Sequence, residues 1–279
     1  MTTLVAGRSP AGAEPFLKDA RRRCPISTGY GPLDAAMRGG YPDGYAILLS
    51  SPSCDERDLL MRRFLESDAD RGLTIYLTRD FGRVADLAAK HRISFYVAAC
   101  QCPEGVPDVG NVAHAAACDD LCSVNIALST ILRRAEPRAP DGRPRRFVID
   151  LLSDVLLSRS AVVTRSWLWD LIVRMKARGF TVLAVLNPRM HPPEDVQAML
   201  ELFDGHISIG DRPSDSGPRR SVTVRMMYAC EYDSSEVELD RDVLMRPLRP
   251  STRSEPSPQP TPVTAGRGQG VPGRPGERE

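Results

Sequence analysis

The chain has 279 residues, 37 Lys and Arg against 36 Asp and Glu, a net charge of +1 and 42% hydrophobic residues. That length accommodates one large domain or two small ones with a real buried core, and the near-neutral balance excludes a basic coat for nucleic acid or an anionic membrane. The lysines are Lys18, Lys90 and Lys176, and none lies in a glycine-rich turn, so a conventional phosphate-loop lysine is missing.

Residues 1–22 are predicted to be loosely ordered, apart from a short helix near Phe16 to Arg22. Short apolar runs then alternate with helical periodicity. Tyr45 to Ser50, Thr74 to Thr78, Ile93 to Ala98, Arg146 to Asp150 and Phe180 to Leu186 read as buried strands. From Asp119 to Ala135, apolar Leu121, Val124, Leu128, Ile131 and Leu132 recur at helical spacing, and Leu168, Leu171, Ile172 and Met175 repeat it from Thr164 to Arg178. Strands alternating with helices imply parallel pairing, because each crossover helix covers a sheet face. After Asp204 the alternation of Gly205 to Ile209, Ser221 to Tyr228 and Glu236 to Leu239 predicts an antiparallel extension. From Pro247 the chain is rich in Pro, Ser, Thr, Gly, Arg and Glu. Such a segment cannot offset its ordering entropy by burial, so 247–279 reads as a disordered, solvated tail, favoured over recognition of its PxxP steps by a proline-binding module. The predicted domain is therefore 23–246.

No run approaches the roughly 18–20 apolar residues that span a bilayer, and Met1 to Ala13 lacks a basic stretch followed by an apolar one. Seven irregularly spaced cysteines argue for reduced thiols. The sequence predicts a cytoplasmic protein with no membrane contact.

Ser27-Thr28-Gly29, Leu33-Asp34, Gly39-Gly40 and Gly44 before the strand at Ala46 resemble the entry to RecA-superfamily ATPases of the archaeal KaiC-like type. Phe147-Val148-Ile149-Asp150 looks like that family's Walker B strand. Val185 to His191, followed by Leu202 to His206, is similar to its next stretch. These anchors span about residues 24 to 240 in order. The resemblance implies a RecA-like three-layer α/β/α fold with a mostly parallel central sheet and a C-terminal antiparallel extension.

In that family the loop after the first strand reads G-x-x-G-x-G-K-T. Its glycines let backbone N–H groups close on phosphate, its lysine neutralises charge and its hydroxyl holds magnesium. The aligned residues here are Ser51, Pro52, Ser53, Cys54, Asp55, Glu56, Arg57 and Asp58. Cys54 and Glu56 stand for the inner glycines, Arg57 for the lysine and Asp58 for the hydroxyl, and Arg is not equivalent to Lys at a tight site. Each carboxylate about 5 Å from a phosphate charge opposes binding by roughly 3 kcal/mol at an effective dielectric near 20. Asp55, Glu56 and Asp58 set three such groups against one Arg57. Ser53 to Glu56 also fits a capping box, with Ser53 as N-cap and Glu56 at the third helical position, which predicts a helix start satisfied by the protein's own oxygens.

Elsewhere the pattern is mixed. The family's catalytic carboxylate pair falls on Arg79-Asp80-Phe81, so Asp80 is a weak candidate base, with starting a helix as the favoured role. Asp150 keeps the Walker B position and serves equally well as a local acceptor. Asn187 matches a phosphate-sensing position and also suits a turn before Pro188. The family's trans-acting Lys-x-Arg pair matches Arg225 and Met227, with Arg225 read as a solvated strand residue. Cys100, Cys102, Cys118 and Cys122 with His114 invite a zinc reading, but their spacing is poor and free thiols explain them more simply. Of Trp167 and Trp169, one ring suits the core and the other a surface, where Trp169 would mark a partner contact. His191 reads as structural, and Arg143, Arg145 and Arg146 read as a solvated loop.

The resemblance thus implies a pseudo-ATPase with a degenerate nucleotide site at Ser51, Ser53, Arg57, Asp58, Asp150 and Asn187 and no resident cofactor or metal. It would work as a regulatory or assembly partner in signalling or recombination-related complexes, alone, self-associated or with a KaiC/RecA-like paralogue. Weak ATP and magnesium binding with residual ATPase activity, and a zinc-dependent interaction module, are the alternatives.

Overall fold

The computed structural model describes residues 25–67, 72–90, 94–99, 110–138, 142–212 and 219–248. The predicted N-terminal segment 1–22, and the predicted tail 247–279 apart from residues 247 and 248, lie outside these residues. Helix α1 (Gly31–Ala36) precedes strand β1 (Ala46–Ser50) and α2 (Asp55–Glu66). Next come β2 (Leu73–Thr78), α3 (Phe81–Lys90), β3 (Phe95–Ala99), β4 (Val112–Ala115) and α4 (Leu121–Ala135). Strand β5 (Arg145–Asp150) leads to α5 (Leu152–Ser158), α6 (Ala161–Lys176), β6 (Thr181–Leu186) and α7 (Pro193–Leu200). The chain closes with β7 (Gly205–Arg212), β8 (Arg219–Met227), β9 (Val237–Glu238) and α8 (Arg241–Met245).

The strands form one sheet in the order β4-β3-β2-β5-β6-β1-β7-β8-β9. Pairing is parallel from β4 through β7 and antiparallel along β7-β8-β9. Strands β1, β2 and β6 are buried at every position, as strands covered on both faces must be. Helices α4 to α7 share one apolar core with one sheet face, and α1, α2, α3 and α8 share another with the opposite face. This three-layer arrangement is the predicted architecture.

The Ser27-Thr28-Gly29 and Leu33-Asp34 motif has a structural use. Asp34 accepts from the Ser27 hydroxyl at 2.6 Å, the Thr28 hydroxyl at 2.6 Å and the Thr28 N–H at 2.8 Å. Gly29 has φ +79°, and a Cβ there would lie 2.6 Å from the Arg63 carbonyl oxygen on α2. The motif presses the α1 entry onto α2.

Two expectations are corrected. The first residue of α2 is Asp55 and its N-cap is Cys54, which makes no side-chain capping bond. Glu56 is therefore at the second helical position and the capping box does not form. Arg146 is not in a solvated loop: it lies in β5 and is fully buried, its guanidinium 5.5 Å from the Phe64 ring centroid. Strand alternation turns Arg146 toward the α2 face, where a planar cation stacks on an aromatic ring. Strand β4 forms one edge of the sheet.

Candidate functional site

Parallel strands place their C-terminal ends together, and ligands of such folds bind beyond those ends where the crossovers diverge. Here the ends of β1, β2, β5 and β6 bring the turn after Ser50, Thr78, Asp150 and Asn187 to one side. A cavity of about 220 Å³ opens there, lined by Ser53, Arg57, Asp80, Arg83, Asp150 and Asn187 among others. Five of the predicted positions thus converge. Ser51 does not: it is buried, its N–H donates to the Leu186 carbonyl at 3.0 Å and its hydroxyl donates to the Pro52 carbonyl at 2.7 Å. Asp58 lines an adjoining groove of about 190 Å³ between α2 and α3, with Arg83 common to both.

Charge pairing dominates the site. Arg57 Nε and Nη2 donate to Asp58 Oδ1 at 2.9 and 2.7 Å. Arg83 Nη2 donates to Asp58 Oδ2 at 2.9 Å, while its Nη1 lies 3.5 Å from Asp150 Oδ2 and its Nε 3.5 Å from Asp80 Oδ2. The Tyr76 hydroxyl donates to Asp150 Oδ2 at 2.9 Å. Arg79, in the turn after β2, pairs with Asp154 at 2.7 Å.

Sequence reasoning missed Arg83 and Tyr76. In the β2-β5 register Thr78 stands beside Asp150 and Tyr76 beside Val148. Residues two apart share a face, so Tyr76 is the diagonal neighbour of Asp150. Arg83 follows Asp80 by three residues, one helical turn. That spacing was the available signal, but its use depended on β2 lying next to β5.

Burial pushes the Asp150 carboxyl above its ordinary value, although the Tyr76 hydroxyl, Arg57 and Arg83 pull it down. Burial also works against the Arg83 charge, but contact with Tyr76 and Asp58 outweighs it and holds the guanidinium above its usual range. Burial raises the Tyr76 phenol, so it stays a hydrogen-bond donor.

The remaining candidates are held locally. Asp80 Oδ1 accepts from the Arg83 N–H at 3.0 Å, starting α3. Asn187 Oδ1 accepts from the Arg189 N–H at 3.1 Å, and its own N–H donates to the Ser153 hydroxyl at 2.9 Å. Arg225 is exposed on β8 and donates to the Ser208 hydroxyl on β7 at 2.8 Å, while Met227 is buried. Of the zinc candidates, Cys100 and Cys102 lie outside the described residues. Among the described residues no three side chains of metal-binding type gather, and His114 packs 5.9 Å from the Phe81 ring. Trp167 is buried, whereas Trp169 is 53% exposed. No described helix is long and apolar enough to cross a membrane.

No family model and no curated protein sequence matches the chain. The fold does match solved structures, 528 chains in all, a breadth expected of a widely used architecture rather than of one relative. A KaiC-like protein of the hyperthermophilic archaeon Pyrococcus horikoshii OT3 is similar at a TM-score of 0.56 and 15% identity, over 78% of this chain and 94% of that one. The parallel sheet, its two helical layers and its antiparallel extension together give this chain the RecA-like fold of KaiC-like proteins.

Proposed function

We propose that the protein is a pseudo-ATPase: a RecA/KaiC-like domain with a degenerate Walker A turn that works through protein contacts instead of nucleotide turnover. The observation that carries this reading is the position of Arg83. Its guanidinium joins Asp58, which the resemblance aligns with the magnesium-holding hydroxyl, to Asp150 at the Walker B position. The chain's own cation neutralises the carboxylates that a metal would need.

The residues do not fit magnesium and ATP. Arg57, aligned with the phosphate-binding lysine, spends two of its donors on Asp58. The first turn of α2 carries Asp55, Glu56 and Asp58, which oppose an anion at the helix end that would otherwise attract one. The cavity of about 220 Å³ is smaller than the roughly 300–1,000 Å³ of ordinary small-molecule sites. A regulatory or assembly role beside a RecA/KaiC-like paralogue follows as the use left to such a fold.

Titration with ATP at millimolar magnesium, read by thermal shift, tests the proposal. The expected result is no saturable stabilisation of the wild-type chain. A saturable rise in melting temperature that Asp150→Ala abolishes would establish the alternative, a weak ATP-binding protein.

A further inference from the structure

Among the described residues, most of the exposed large apolar side chains lie on one helical layer. Of the ten among the described residues, Ile126, Leu157, Val162, Val163, Trp169 and Val173 lie on α4, α5 and α6, in the same helical layer. Exposed apolar groups concentrated in this way mark an interaction surface.

Helix α6 organises the patch. Its inward positions Thr164, Trp167, Leu168, Leu171, Ile172 and Met175 are buried in the domain. Its outward positions include Val162, Ser166, Trp169 and Val173, spaced four, three and four residues apart. That is the spacing of a two-stranded helical seam, in which apolar residues alternate three and four apart along one line. Val162 is 78% exposed and Trp169 53%.

The charges beside the seam identify the occupant. Arg165 and Asp170 flank it on opposite sides and are five residues apart. This is the separation at which flanking charges meet across a parallel, in-register helix pair. A second copy placed side by side and parallel therefore sets Arg165 against the partner subunit's Asp170, and the two-fold axis repeats the contact. An antiparallel pair would bring Arg165 toward the partner subunit's Arg165 and Asp170 toward its Asp170, which is repulsive. Among the described residues Asp170 makes no ion pair within 4.0 Å, its charge acting at longer range on Arg174 one turn further along α6. Arg165 directs Nη1 to the Ala198 carbonyl and, at 3.5 Å, to Glu201, leaving Nε and Nη2 for a partner.

We infer that α6 is a self-association surface, on which two copies pack parallel about a two-fold axis with Trp169 against the partner subunit's Trp169 and Arg165 against its Asp170. The inference is independent of nucleotide binding. The seam spans only about two heptads, so the dimer belongs to the weak class of small interfaces.

Light scattering and sedimentation on the full chain, from about 1 to 200 µM, test this over the concentrations where weak dimers assemble. Wild type should pass from monomer to dimer, and Trp169→Glu should weaken association by about thirtyfold, the loss typical of a central aromatic anchor. Arg165→Asp should weaken it as well, and the double variant Arg165→Asp, Asp170→Arg should restore it. Ser166→Cys lies on the two-fold axis and should give a disulfide-linked dimer on mild oxidation that wild type does not give. All these positions are at the surface, and circular dichroism checks that each variant folds. A monomer at every concentration, a dimer indifferent to Trp169→Glu, a double variant without recovery, or no crosslink at position 166 would each overturn the proposal.

Discussion

The Arg83 guanidinium lies 2.9 Å from Asp58 Oδ2, joining the helix that follows β2 to the helix that follows β1. Two crossover helices are thereby tied beside the cavity at the C-terminal ends of the parallel strands. Both side chains are about one-third exposed, so this pair is neither a solvent-screened surface contact nor a dry interior one. Its further contacts with Asp150 and Asp80 make it a network, which resists screening better than an isolated pair.

Arg83→Ala should leave Asp58, Asp80 and Asp150 without their common cation. Removing one partner of a partly buried charge network is costly because the others remain desolvated. A loss of roughly 1–3 kcal/mol is expected, below the full cost of breaking a buried pair because this one is partly solvated. Urea unfolding measures it. A variant as stable as wild type would mean that the three carboxylates do not depend on this guanidinium.

Arg63 should govern the attachment of α8. It is 8% exposed and donates to the carbonyls of Val243, Leu244 and Arg246, the Leu244 bond being 2.9 Å. These bonds satisfy carbonyl groups at the helix end that have no intrahelical donor. Arg63→Ala should cost about 2–4 kcal/mol, since one buried and two part-buried acceptors lose a charged donor together. Limited proteolysis should cut the variant within 241–248 faster than wild type, and an unchanged cleavage rate would count against this role.

The sequence made the central strands legible because parallel strands buried on both faces carry continuous apolar runs, as in Tyr45 to Ser50 and Phe180 to Leu186. Helices α4 and α6 were legible from their periodic inward faces. The site was legible only in part. Asp150 and Asn187 follow directly from strand ends, whereas the Tyr76, Arg83 and Asp150 constellation depends on β2 pairing with β5, a long-range choice that no local pattern announces. The capping box failed for a related reason. Ser53 and Glu56 have the right spacing, but Cys54 takes the extended conformation, with φ −158° and ψ 158°, and the helix begins one residue later. Arg146 misled because charge suggested solvent, while strand register put it against Phe64.

Stability should fall as pH drops below about 6.5, through the histidines. Burial holds His206 below its ordinary 6.5, with Arg225 adding to the effect, and burial lowers His191 against the pull of Asp195 and Asp154. The folded state therefore disfavours the imidazolium, and the unfolded chain binds more protons near and below pH 6.5. Their contribution is fully present above 6.5 and is lost as pH falls through that value toward the folded-state pKa. His206 Nε2 is 2.9 Å from the Ser50 hydroxyl at the end of β1, so His206→Gln retains a polar partner while removing the titration. The variant should show a flatter stability profile between pH 7.5 and 5 in urea unfolding. Asp150, raised by burial from 3.8, acts in the opposite sense in the acid range: its desolvation cost is relieved as it protonates. An unflattened profile in His206→Gln would assign the pH dependence elsewhere.

Asp34 should matter to stability and not to the cleft chemistry. Its carboxylate gathers the Ser27 and Thr28 donors into one turn, and that turn sets Gly29 against the α2 backbone at Arg63. Asp34→Ala removes the acceptor of a buried Thr28 hydroxyl and of a backbone N–H, for an expected loss of about 2–4 kcal/mol. Asp34→Asn keeps the size and one acceptor oxygen, so it should lose less, about 1–2 kcal/mol. Gly29→Ala attacks the same junction from its other side: it combines a positive φ with a Cβ 2.6 Å from the Arg63 carbonyl, and such strain costs several kcal/mol when backbone is the obstacle. Because both substitutions loosen one contact between the α1 entry and α2, the Asp34→Ala and Gly29→Ala losses should be sub-additive in the double variant. Full additivity in urea unfolding would show that the turn and the close approach are separate devices, and that Asp34 acts only within its own loop.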